Sequence, residues 1–127
     1  MNKKSKEIIL KYPNIFGEPP FNMMDTLIGF GFEVGDGWFP YLIELFEDIN
    51  NIVINNNLSD FRIVQVKEKM GYLDIYTRNS IQEIDDLIFN LTKKLSTICE
   101  DCGSENSVMR ELPYFQVLCD NCYQLKK

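Results

Sequence analysis

Histidine is absent from all 127 residues of the chain. This absence excludes Ser-His-Asp and Cys-His catalysis, as well as every metal site that needs an imidazole ligand. Long apolar runs are also missing: none approaches the roughly 18 residues of a spanning helix, and Ile8-Ile9-Leu10 is too short for the core of a signal peptide. We therefore expect a soluble, cytoplasmic protein that is not an enzyme and has no membrane segment.

Positive charge is missing from residues 12–61, which contain eight aspartates and glutamates but no lysine or arginine. The whole chain has a net charge of −6. A field of this sign attracts basic protein surfaces and repels nucleic acid. Two interpretations stay open at this point, an acidic face that binds a partner and an acidic face that is only solvated.

The composition indicates a packed domain, because 45% of the residues are hydrophobic and 13% are aromatic. Apolar residues at steps of three and four predict amphipathic helices over about 38–53 and 81–98, and a shorter helix is predicted over about 5–11. Alternating β-branched and aromatic residues predict a hairpin from residues 61–66 and 72–77. The predicted fold is α+β, with helices packed on a small antiparallel β-hairpin.

Polar residues at the predicted helix starts are candidate caps. Ser5 precedes the first helix and Asp36 the second, whereas Ser80 and Glu83 have the spacing of a capping box for the third. Trp38, at the start of the second apolar stripe, is interpreted either as a core residue or as an anchor for a partner.

Four cysteines form a C-x2-C-x16-C-x2-C pattern, which is the spacing of a four-thiolate zinc site. They are Cys99, Cys102, Cys119 and Cys122. The sequence predicts a zinc ribbon over residues 99–127, docked on a core of residues 1–98 at the 81–98 helix. Four protein ligands leave no open position, so the Zn²⁺ is expected to be structural. Rubredoxin-like iron, two disulfides and unliganded cysteines are the alternatives.

Four blocks along the chain resemble a family of small, uncharacterised phage and prophage proteins. These are a lysine-tyrosine-proline opening at residues 11–13, a glycine-aspartate-glycine-tryptophan turn at 35–38, a hairpin with a valine-lysine-glutamate-lysine segment at 66–69, and the two cysteine pairs. Val34, Met70 and Asp74 replace a cysteine, a phenylalanine and an arginine that are usual there. The resemblance implies a shared fold, a viral origin and binding of a host factor, including a defence component.

Together these features favour a non-catalytic protein-binding module that modulates or inhibits a host defence or nucleic-acid-processing protein through an acidic surface. The alternative is a nucleic-acid-binding or transcription-associated zinc ribbon, and a third hypothesis is an enzyme with Glu33 or Asp36 on a hard cation. The candidate partner-binding residues are Glu33, Asp36, Trp38, Glu44, Glu47 and Asp48.

Overall fold

The computed structural model describes residues 1–126. The α-helices are α1 (Lys3–Lys11), α2 (Pro13–Phe16), α3 (Phe39–Asn55), α4 (Gln82–Leu95) and α5 (Asp120–Lys126), with short 3-10 turns at Ile28–Phe30 and Asp36–Trp38. The strands are β1 (Phe32–Glu33), β2 (Arg62–Lys69), β3 (Tyr72–Arg78), β4 (Val108–Arg110) and β5 (Gln116–Leu118). The α+β class is as the sequence predicts.

The larger sheet has three strands in the order β1-β2-β3. Strands β2 and β3 form the predicted hairpin around a two-residue turn, in which Met70 and Gly71 have φ values of 52° and 89°. Two positive φ values are those of a type I′ turn, which matches the twist of paired strands. Strand β1 pairs with β2 in parallel. The sequence did not predict β1, because a strand of two residues is too short to show an alternation of apolar and polar side chains.

The core is one cluster to which the helices and the hairpin both contribute, and α2 and α4 each contact both α3 and a strand of the hairpin. Rings of Phe16, Phe32 and Phe46 pack together at centroid distances of 5.1–5.6 Å. Trp38 is fully buried, with 0% of its surface exposed. Its indole Nε1–H donates to the carbonyl oxygen of Ile98 at 2.9 Å, so the ring joins the start of α3 to the end of α4.

The predicted caps of α1 and α3 are wrong. Asn2 caps α1, because its Oδ1 accepts from the backbone N–H of Ser5 at 2.8 Å. Ser5 is instead buried, and its Oγ accepts from the N–H of Phe32 at 3.0 Å. Asp36 starts a 3-10 turn before α3 and forms an exposed ion pair with Lys4 at 3.5 Å.

The predicted capping box of α4 is also not formed. Ile81 occupies the N-cap position, where its side chain makes no capping hydrogen bond. Ser80 lies one residue before the N-cap position, and its hydroxyl donates to Asp85 Oδ1 at 2.7 Å. Glu83 and Asp85 still lie in the first turn, where negative charge complements the helix dipole.

The C-terminal unit, residues 99–126, contains the antiparallel β4–β5 hairpin and α5. Hydrogen bonds join it to the turn of residues 35–38, the "35–38 turn", through Gly35 and Gly37, and to Thr97, just beyond α4. Thr97 lies within the predicted 81–98 segment, and the 35–38 turn is a second attachment point that the sequence did not indicate. Val117 contributes a buried side chain to the main hydrophobic cluster.

We predict that Gly37→Ala destabilises the protein by about 2 kcal/mol or more, because overpacking a close backbone contact forces atoms apart. A Cβ at Gly37 would lie 2.8 Å from the Glu100 carbonyl oxygen and closer still to that of Cys99. Urea denaturation measures the loss. Gly29→Ala is the matched control, since its Cβ would meet Phe21 Cβ at an ordinary 3.5 Å. Equal stability of the two variants would contradict the prediction.

Candidate metal centre

The four cysteines reach one point from two segments that are far apart in sequence. Cys99 and Cys102 lie in the loop of residues 99–103, the "99–103 loop", directly after the turn that ends α4. Cys119 follows β5, and Cys122 lies in the first turn of α5. The β4–β5 hairpin reverses the chain between the pairs, and this returns the second pair to the first.

The sulfur positions are close enough for all four to bind one metal ion. All four Sγ atoms lie within 4.8 Å of one another, and those of Cys102 and Cys119 are 3.7 Å apart. Metal–sulfur bonds of about 2.3 Å give a tetrahedron with edges of about 3.8 Å. The cysteines are free thiols, and 3.7 Å is far longer than a disulfide bond of about 2.05 Å. The disulfide alternative is therefore not what the chain forms.

Two of the sulfurs have hydrogen-bond contacts outside the cysteine cluster or within its second pair. The Ser104 hydroxyl lies 2.9 Å from Cys102 Sγ, and this contact, helped by the Ser104 backbone, lowers the pKa of the Cys102 thiol to about 6. The backbone N–H of Cys122 donates to Cys119 Sγ at 3.4 Å. Burial acts in the other direction at Cys122, where it raises the thiol pKa. Metal binding requires loss of these protons.

Glu100 connects the 99–103 loop to the core, and sequence reasoning missed it. Its Oε2 accepts from the N–H of Gly35 at 2.9 Å, while its carbonyl oxygen accepts from the N–H of Gly37 at 2.7 Å. Burial raises the pKa of this carboxyl, and the nearby charge of Glu68 raises it further, whereas the Gly35 hydrogen bond opposes both. No spacing rule identifies such a residue, because Gly35 lies 65 positions away in the sequence.

Gly103 lets the 99–103 loop approach the 35–38 turn. Its φ is +83°, a conformation that side chains with a Cβ rarely adopt. A Cβ there would also lie 3.1 Å from the Gly37 carbonyl oxygen. Each of the two glycines therefore faces the backbone of the other segment, and the first cysteine pair is positioned by the core.

The candidate partner-binding residues do not all lie on the surface. Trp38 is fully buried, so its interpretation as a partner anchor is wrong and its interpretation as a core residue is confirmed. The carboxylates of the other five candidates are exposed. Three of these five are on α3, and they are Glu44, Glu47 and Asp48. Sequence reasoning did not consider two exposed isoleucines on the same helix, Ile43 and Ile54, which lie outside the predicted apolar stripe.

Glu33 and Asp36 do not assemble with a third potential ligand. Within the described part of the chain, the cysteine cluster is the one group of three or more candidate metal ligands close enough to share an ion. Glu33 lies at the exposed end of β1, and Asp36 pairs with Lys4. The hypothesis of a hard-cation enzyme therefore gains no site here.

Known proteins offer no counterpart: no family model, no curated protein and no solved structure matches this chain. In the described residues, 1–126, no helix has both the length and the apolar character needed to cross a membrane. The site is thus defined by its own geometry, four converging thiols held against the core.

We predict that the purified protein binds one metal ion per chain and that a strong chelator unfolds residues 99–126. Metal binding contributes on the order of 10 kcal/mol to such small units, which bury little core of their own. Hydrogen exchange should accelerate there and at the amides of Gly35 and Gly37, while the middle of α3 stays protected. Cys119→Ser should reproduce the effect without chelator. Unchanged exchange after metal removal would refute the prediction.

Proposed function

We propose that this chain is a non-catalytic protein-binding module that recognises a basic protein surface through α3, with a structural zinc ion at its C-terminal unit. The observation that carries the proposal is the exposed face of α3. It presents carboxylates and isoleucines together on a helix whose opposite face is buried in the core.

The exposed face of α3, here called the acidic face, is suited to docking. Glu44, Glu47 and Asp48 lie on it, and Ile43 and Ile54 are 40% and 50% exposed beside them. Among the ion pairs of residues 1–126, none involves these three carboxylates. Unpaired charges steer a basic partner towards the face, whereas the isoleucines supply apolar area for the bound state.

Zinc is the proposed ion because thiolate ligands in a tetrahedral arrangement suit it, and structural four-cysteine sites most often hold it. Iron bound as in rubredoxin would use the same ligands and is the alternative. With four protein ligands, the ion has no position for water or substrate. Its role is then to hold the 99–103 loop against the start of α3.

The proposed target is a host protein in the bacterial cytoplasm. The resemblance to small phage proteins suggests this setting, and a host defence or nucleic-acid-processing protein has the basic surface that the acidic face would bind. Such proteins carry clustered lysine and arginine because they contact phosphates. Binding there would block access of the nucleic acid and so inhibit the target.

We expect charge reversal on the acidic face, Glu44→Lys with Glu47→Lys and Asp48→Lys, to abolish capture of the target from the natural host. Reversal removes both the electrostatic steering and the direct ion pairs with the partner. Mass spectrometry should therefore no longer detect the captured protein. The matched control reverses Glu7, Asp60 and Glu105, which are exposed elsewhere, with the same change in net charge. The proposal would be overturned if only the control variant lost the captured protein, or if both variants still captured it.

For the alternative function, we predict no salt-dependent binding of the metal-loaded protein to DNA or RNA at moderate ionic strength. Two basic side chains of the C-terminal unit are already paired, Arg110 with Asp120 at 2.7 Å and Lys126 with Asp101 at 3.0 Å. Phosphate contacts require free cations and give affinities that fall steeply with salt. Fluorescence anisotropy with labelled oligonucleotides measures this. Affinity that declines with salt would favour the nucleic-acid-binding ribbon.

A further inference from the structure

Strand β3 has one unpaired edge. In the sheet order β1-β2-β3 it is an outer strand, and its ladder runs only to β2. Within residues 1–126, none of the other hydrogen bonds of the chain involves the backbone of Tyr72–Arg78. An open edge of this length is a template on which another strand can pair.

The two-residue turn determines which backbone groups face outward. In such a hairpin the residues that flank the turn, Lys69 and Tyr72, form a hydrogen-bonded pair, and pairing then alternates along the strands. The N–H and C=O groups of Leu73, Ile75 and Thr77 therefore point away from β2. The register is regular from Tyr72 to Tyr76. The shift beyond it skips Val64 on β2, whereas β3 has no extra residue, so the alternation along β3 continues to Thr77.

Helix α4 runs beside this edge and leaves a groove of about 310 Å³. The groove is lined by Leu73, Asp74, Ile75, Thr77, Asp85, Ile88, Phe89 and Thr92. The apolar side of α4 is incompletely covered there, since Phe89 is 62% exposed and Ile88 is half-buried. An open strand edge opposite a helix with exposed apolar side chains is an arrangement that receives extended peptides.

The charges of the groove indicate the chemistry of its occupant. Its charged lining residues are Asp74 and Asp85, and no lysine or arginine lines it. Lys93 Nζ lies 5.5 Å from the centroid of the Phe89 ring, so a basic occupant would have to displace this lysine from the ring. A segment that carries lysine or arginine beside apolar residues would complement both carboxylates and cover the ring.

We propose that this groove, the "β3–α4 groove", binds an extended segment of a partner protein with alternating apolar and basic residues, which adds to β3 as a fourth strand. A second copy of this chain fits less well, because pairing of two β3 edges would bring the Asp74 and Asp85 carboxylates of one copy towards those of the other, and like charges repel. The β3–α4 groove is separate from the acidic face, and this inference does not depend on the function proposed above.

The test uses the metal-loaded full chain and a capped seven-residue peptide of alternating valine and lysine. On binding, the amide protons of Leu73, Ile75 and Thr77 should exchange at least roughly tenfold more slowly, because they become hydrogen-bonded. The control peptide has the same sequence with N-methyl groups on the amides of its pairing edge. It keeps the charge and side chains but cannot form the ladder, so it should give no protection.

Two variants place the peptide in the β3–α4 groove. Thr77→Pro removes an outward N–H at an edge position and should abolish protection, while Phe89→Ala should weaken binding roughly tenfold and leaves the exposed helix surface otherwise intact. The triple charge reversal of the acidic face should leave protection of β3 in place. Three results would overturn the proposal. The peptide could protect α3 instead of β3, the N-methylated peptide could bind equally well, or protection of β3 could rise with protein concentration in the absence of peptide.

Discussion

The backbone of the 35–38 turn lies directly against that of the 99–103 loop, with glycine on both sides of the contact. Gly37 donates its N–H to the Glu100 carbonyl oxygen at 2.7 Å, and a side chain on either Gly37 or Gly103 would push the segments apart. Helix α3 begins at one segment, and the first cysteine pair lies in the other. The direction of the acidic face and the position of the metal ligands therefore depend on the same contact.

Each side of this contact supplies what the other lacks. The C-terminal unit buries few apolar side chains, with Val117 and Leu118 inside, while Leu112, Tyr114 and Leu125 are largely exposed. We expect its order to depend on attachment to the core and on coordination of a metal ion by the four thiols. In return it supplies acceptors to the N–H groups of Gly35 and Gly37. Gly37 is buried, and leaving its N–H without an acceptor would cost about 1–3 kcal/mol.

Local patterns predicted most of the elements, and long-range contacts account for what they missed. The apolar stripe of α3, the β2–β3 hairpin and the cysteine spacing are readable because each lies within one short window of sequence. Ser5 is an example of such a miss. A serine before an apolar run resembles a helix cap, but its hydroxyl oxygen accepts a hydrogen bond from the N–H of Phe32, 27 positions away. Glu100 is similar, since an acid between two cysteines resembles a solvated residue until Gly35 is placed beside it.

The hydrogen bond between Trp38 and Ile98 also affects how the chain is made. A ribosome adds Ile98 sixty residues after Trp38, so for that interval the indole N–H lacks its native acceptor. The beginning of α3 consequently cannot reach its final packing while the nascent chain is still short of α4. We expect the aromatic residues at this end of α3 to complete their burial only after the sequence up to Ile98 has been translated.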